Sequence, residues 1–202
     1  MDRAASPEPV ETRILELAAS HIRRFGLRRT TIVSIAEEAG MSHANVYRYF
    51  PSKTALVDAV TDYWLRPIEA GLRIIADGPD PAYDKLERIL SALQKAYREK
   101  LEQDSNLFDI FADATARSTG IARRHRNRVQ SEVQRVVDEG MATGGFFAGD
   151  QRRALALIFD SLFRFIHPVA VRLDKEARGD QISNRFDRVL QQTLRTLVQG
   201  RR

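Results

Sequence analysis

The sequence predicts an all-α protein, and three observations carry that expectation. Apolar residues recur at three- and four-residue spacing along nearly the whole chain. Alternating β-branched runs bounded by hairpin turns are missing. The 7 prolines and 11 glycines fall mostly where helices would start or stop. At 202 residues the chain is long enough for a substantial buried core, and about nine helices are expected.

Residues 1–9 read as a polar, proline-containing arm, expected to be mobile. Helix one spans about Val10 to Phe25, with Ile14, Ala18, Ile22 and Phe25 on one face and Gly26 as its cap. A short second helix follows Thr30-Thr31, either of whose hydroxyls can cap it, and ends at Gly40. Ser42 caps a third, about His43 to Tyr49, which stops before Pro51. Ser52 opens a fourth that passes through Leu56, Val60 and Trp64 to about Ala76, kinked at Pro67.

Longer amphipathic segments follow. Asp80-Pro81 starts one that runs to about Gln103 and turns Leu86, Ile89, Leu90, Leu93 and Tyr97 inward. A shorter one holds Leu107, Phe108, Ile110 and Phe111. Another covers about Thr119 to Thr143, broken by Gly144-Gly145. The last two span about Asp150 to Leu173, interrupted at Pro168, and about Asp180 to Gln199. The organisation is thus an arm (1–9), a helix-turn-helix domain (10–57) and a C-terminal helical domain (58–202).

Composition excludes several classes. Without cysteine there is no disulfide scaffold, thiolate metal site or cysteine nucleophile. The four histidines form no HExxH and no i,i+4 pair, and no nucleophile elbow or phosphate-cradling glycine loop occurs. A non-enzyme without cofactor or metal is expected. No apolar run approaches the roughly 20 residues that span a bilayer, and the start does not read as a signal peptide. A soluble, cytoplasmic protein without a membrane partner is therefore expected. The net charge of +5 permits a nucleic-acid partner without demanding one, and it is not concentrated in residues 1–57.

The informative stretch is TTIVSIAEEAGMSHANVYRYFPSK, residues 30–53. Two short helices around a Gly40-Met41-Ser42 turn form a helix-turn-helix, whose second helix can enter a major groove. That helix buries Val46 and Phe50 and leaves Ser42, His43, Ala44, Asn45, Tyr47, Arg48 and Tyr49 able to face outward. The tyrosine hydroxyls and the Lys53 ammonium suit phosphate oxygens, while the short N-terminal residues permit approach to base edges. Bland alternatives exist for each. Tyr47 and Tyr49 can pack on a neighbouring helix, Lys53 and Arg48 can be solvated charges, and His43 can be idle.

The pattern Phe25-Gly26, Thr30-Thr31, Ile35-Ala36-x-x-Ala39-Gly40, Val46-Tyr47-x-Tyr49-Phe50-x-Ser52-Lys53 resembles the TetR family of bacterial transcriptional regulators. The resemblance is close over residues 10–57 and architectural beyond. It implies phosphate contacts at Thr31, Tyr47, Tyr49 and Lys53, with Ser42 at the turn, and base reading at His43, Ala44 and Asn45, with Arg48 as a further candidate. Many members carry Gly where Ala44 stands and His where Tyr49 stands, which leaves the operator sequence open. The resemblance also implies a C-terminal region that binds small molecules and dimerises through the last two helices.

Candidate cavity residues are Trp64, Tyr97, Leu107, Phe108, Phe111, Phe159, Phe163 and His167, an aromatic set suited to an apolar or aromatic effector. Each can equally be ordinary core. Two apolar stripes, Leu155, Ile158, Phe159, Leu162 and Ile166, then Ile182, Phe186, Val189, Leu190, Leu194, Leu197 and Val198, either cover the core or pair with a second copy. From them the homodimer interface is expected at Leu155, Ile158, Leu162, Ile166, Phe186, Val189, Leu190, Leu194 and Leu197. The run Arg123, Arg124, His125, Arg126 and Arg128 reads as a solvated face that pairs with acids, rather than a second nucleic-acid surface. The expected function is a homodimeric repressor that a ligand releases from a near-palindromic double-stranded DNA operator. An activator, or a helical protein-interaction module, is the alternative.

Overall fold

The computed structural model describes residues 9–147, 149–176 and 179–199; the expected arm at 1–8 lies outside them. Among the described residues there are ten helical segments and no strand. They are α1 (Val10–Arg29), α2 (Ile32–Ala39), α3 (His43–Tyr49), α4 (Lys53–Ala76), α5 (Ala82–Gln103), α6 (Ser105–Ala116), α7 (Gly120–Ala142), α8 (Gln151–Ile166), α9 (Pro168–Leu173) and α10 (Gly179–Gln199). The expected eighth helix is two, because Pro168 starts a new helix after the extended residue His167.

Local chemistry sets the boundaries. Thr31 and Ser34 close a reciprocal capping box on α2, and the hydroxyls of Ser42 and Ser52 accept from the amides of Asn45 and Ala55 to cap α3 and α4. Gly40 ends α2 in the left-handed region at φ 65, where a side chain would be strained. Asp80 does not cap α5; Pro81 takes that place and Asp80 pairs with Arg88. Pro67 lies within an unbroken α4, on its exposed side.

One apolar core runs from α1 to α10. Helix α4 is its axis, packing on α1 at its start and on α5 and α7 further along. Helices α8 and α10 pack on each other and on α5, which corrects the expected dimer surface. Ile158, Leu162, Ile166, Phe186, Leu190, Leu194 and Leu197 are buried within a single chain, so they cover this chain's own core. Leu155 and Val189 are half-buried at its rim.

A second correction concerns membrane length. Gln151–Leu173 is long and apolar enough to cross a bilayer by length and composition, its most apolar 18-residue stretch having a mean hydropathy of 1.6. It is nevertheless broken at His167, and its buried side packs on α5 and α10.

Candidate functional site

The α2–α3 unit presents its second helix outward. Val46 is fully buried and, with Phe50, anchors α3 to the body, while Ser42, His43, Ala44, Tyr47 and Arg48 are exposed and Asn45 is half-exposed. Tyr47 is 49% exposed, a large apolar ring held in water. Tyr49 is partly buried against the core, and the Arg48 guanidinium lies over its ring at 5.3 Å while donating to its hydroxyl at 3.3 Å. The Lys53 ammonium is not simply solvated: Nζ donates to the Leu27 carbonyl at 2.8 Å, at the end of α1. Of the threonine pair, Thr30 turns inward to the Gly26 carbonyl and His21, and Thr31 stays exposed as a cap. The expected contact residues thus share one end of the molecule. All but Asn45, Tyr49 and Lys53 are exposed there.

The neighbouring helices α1 and α4 are fastened to the α5–α6 junction by a polar joint. Asp104 accepts from Arg23 Nε at 2.5 Å on α1 and from Trp64 Nε1 at 2.8 Å on α4. Asn106 Nδ2 donates to the carbonyls of Ile22 and Arg23, taking up acceptors near the end of α1.

A cavity of about 140 Å³ opens between α5, α6, α7 and α8. Of the expected residues, Tyr97, Phe111, Phe159, Phe163 and His167 line it. Trp64, Leu107 and Phe108 do not; they are buried in the core between α4, α5 and α6, where the Trp64 and Phe108 rings meet edge to face at 6.4 Å. Sequence reasoning missed the α7 wall, made by Ala122, Arg123, His125, Arg126 and Val129. Spacings of three and four within that basic run were the available signal.

Polar groups on the wall are organised. His125 is buried, with Nδ1 2.7 Å from Glu69 Oε1 on α4 and Nε2 2.8 Å from the Tyr97 hydroxyl. A carboxylate only accepts, so Nδ1 donates to Glu69, and in the tautomer that this selects Nε2 accepts from the Tyr97 hydroxyl. Burial first, then the nearby Glu69 charge, push the Tyr97 phenol far above its ordinary range and keep it protonated. Glu69 also accepts from Arg128 at 2.8 Å. His167 stacks on Phe163 at 4.3 Å, and its buried Nδ1 has no hydrogen-bond partner among the described residues. Burial, then Arg126, lower the pKa of that imidazole.

Residues 14–60 match the model of bacterial regulatory proteins, tetR family, and residues 82–190 that of the tetracyclin repressor-like C-terminal domain. The HTH-type transcriptional repressor KstR2 of Mycobacterium tuberculosis is 32% identical over 174 residues, 82% of this chain and 80% of KstR2. Among solved structures, the fatty acid degradation regulator FadR of Bacillus halodurans superposes with a TM-score of 0.67 at 18% identity, over 98% of this chain and 99% of that one. FadR of Bacillus subtilis, in complex with stearoyl-CoA, gives 0.63 at 19% identity, over 95% and 99%. With both parts of the chain matched and the helix-turn-helix in place, the protein belongs to the TetR family of bacterial transcriptional regulators.

Proposed function

We propose that the protein is a homodimeric, cytoplasmic repressor that holds a near-palindromic operator with two copies of α3 and releases it when a small molecule occupies the cavity. The carrying observation is that a cavity-wall residue, His125, is hydrogen-bonded to α4, the helix that begins at the recognition unit. A ligand that prefers a different placement of α7 shifts α4 and so changes the spacing of the recognition helices. The relatives support this reading: KstR2 is named a repressor, and FadR of Bacillus subtilis is in complex with stearoyl-CoA.

A near-palindrome needs two reading heads about 34–36 Å apart, and each chain has one. With the inner stripes of α8 and α10 occupied, a second copy meets their outer faces, where Ala156, Asp160 and Phe163 of α8 are open or partly open. Phe163, which stacks on His167 at the cavity wall, is still 50% exposed.

Fluorescence anisotropy on the DNA flanking the gene tests the reading, together with light scattering at micromolar protein. The expected result is saturable, sequence-competed binding by a dimer, and weaker binding when a cavity ligand is added. A monomer, or equal operator affinity with and without ligands that demonstrably bind, overturns it.

A further inference from the structure

We infer that the cavity takes a compact carboxylic acid, with a single-ring-sized apolar body inside and its carboxylate against Arg123 and Arg126. The inference deepens the ligand-release reading and rests on it.

Size sets the body. A volume of about 140 Å³ is close to that of an engineered apolar cavity that takes up benzene, and is several waters in extent. Leu93, Phe111, Val129, Phe159, Phe163 and Ile166 make most of the wall apolar and partly aromatic. A long acyl chain has no room without repacking a close-packed bundle.

Charge sets the head group. Among the described residues no aspartate or glutamate lines this cavity, yet two arginines do. Among the described residues, Arg123 and Arg126 have no ion pair, whereas Arg128 and Arg135 on the same helix are each held by two carboxylates. Arg124, also without an ion pair, faces a different groove that already holds Glu11, Asp58 and Asp62. Positions 123 and 126 are one turn apart, so two like charges repel on one side of α7 until an anion lies between them. Guanidinium groups bind a carboxylate in paired, charge-assisted hydrogen bonds.

Calorimetry on the full-length protein tests this with benzoate, phenylacetate and 4-hydroxybenzoate against the neutral isostere benzamide and straight-chain octanoate. At least one ring acid is expected to bind about ten-fold or more tighter than benzamide, and tighter than octanoate. The double change Arg123→Gln, Arg126→Gln is expected to remove that preference without lowering the melting temperature, and Arg124→Gln to leave the preference intact. Equal affinity for benzoate and benzamide, tighter octanoate binding, no binding by any ring acid, or a preference that survives the double change overturns the inference. Operator release is measured separately by anisotropy. Release by neutral molecules alone leaves the repressor reading standing without this ligand class. Binding of a ring acid without release leaves the ligand class standing and overturns the switch.

Discussion

His125 Nδ1 lies 2.7 Å from Glu69 Oε1, so a ring on the cavity wall of α7 is bonded to the helix that begins at the recognition unit. The same ring meets the Tyr97 hydroxyl at 2.8 Å, and the same carboxylate takes Arg128. A ligand that competes for Tyr97 alters a chain of groups spanning α5, α7 and α4. Glu69→Ala leaves a buried ring N–H without a partner, and is expected to cost about 1–3 kcal/mol of stability. Glu69→Gln keeps an acceptor and is expected to cost less, while weakening ligand response. Urea denaturation and operator titrations with ligand read the two effects apart.

The recognition face makes its own prediction. Tyr47→Phe and Lys53→Ala are expected to weaken binding to all DNA sequences, with Lys53→Ala lowering the salt slope by about one. A change at His43 is expected to alter sequence preference instead. Lys53 also serves the Leu27 carbonyl, so its variant is expected to lose a little stability even without DNA. Gel shifts on matched and scrambled operators, over a salt series, decide these.

Gly140 offers a sharper test of packing. A Cβ there would lie 2.1 Å from the Phe146 ring, which is 2% exposed and bonded through its amide to the Gly140 carbonyl. Gly140→Ala must displace that ring, and is expected to destabilise by about 1–3 kcal/mol despite the better helix propensity of alanine. Pairing it with Phe146→Ala is expected to recover less than additive loss, seen in the denaturation midpoint.

His167 links stability to pH. Its imidazole is held below its ordinary pKa by burial and then by Arg126, so as pH falls the unfolded chain takes up this proton first. Its contribution is therefore constant at high pH and declines as pH falls through about 6.5, the unfolded value. His167→Asn is expected to lose less stability than the parent between pH 7.5 and 5.5, measured by urea midpoints.

Local features were legible in the sequence, and long-range ones were not. Thr31, Ser42 and Ser52 cap helices because the cap and the amide it serves are three residues apart, within one readable window. The inward face of α5 and α6 was equally plain from spacing. What spacing does not contain is which inward ring borders a void: Phe108 and Phe111 share a turn, yet only Phe111 reaches the cavity. The His125–Glu69 contact joins residues 56 positions apart, and nothing local to either announces it. The α8 and α10 stripes are plainly apolar from their spacing, but the same pattern serves a core or a partner, and here the core takes it.

The third helix has a consequence for how such a protein diversifies. Its capping is done by Ser42 and its anchoring by Val46, so His43 and Ala44 carry no structural duty, and Asn45 lends only its backbone amide to the cap. Exchanging those three side chains is expected to leave the scaffold intact while rewriting which DNA it addresses. A duplicated gene could therefore acquire a new set of targets through a few codons and keep its sensor unchanged.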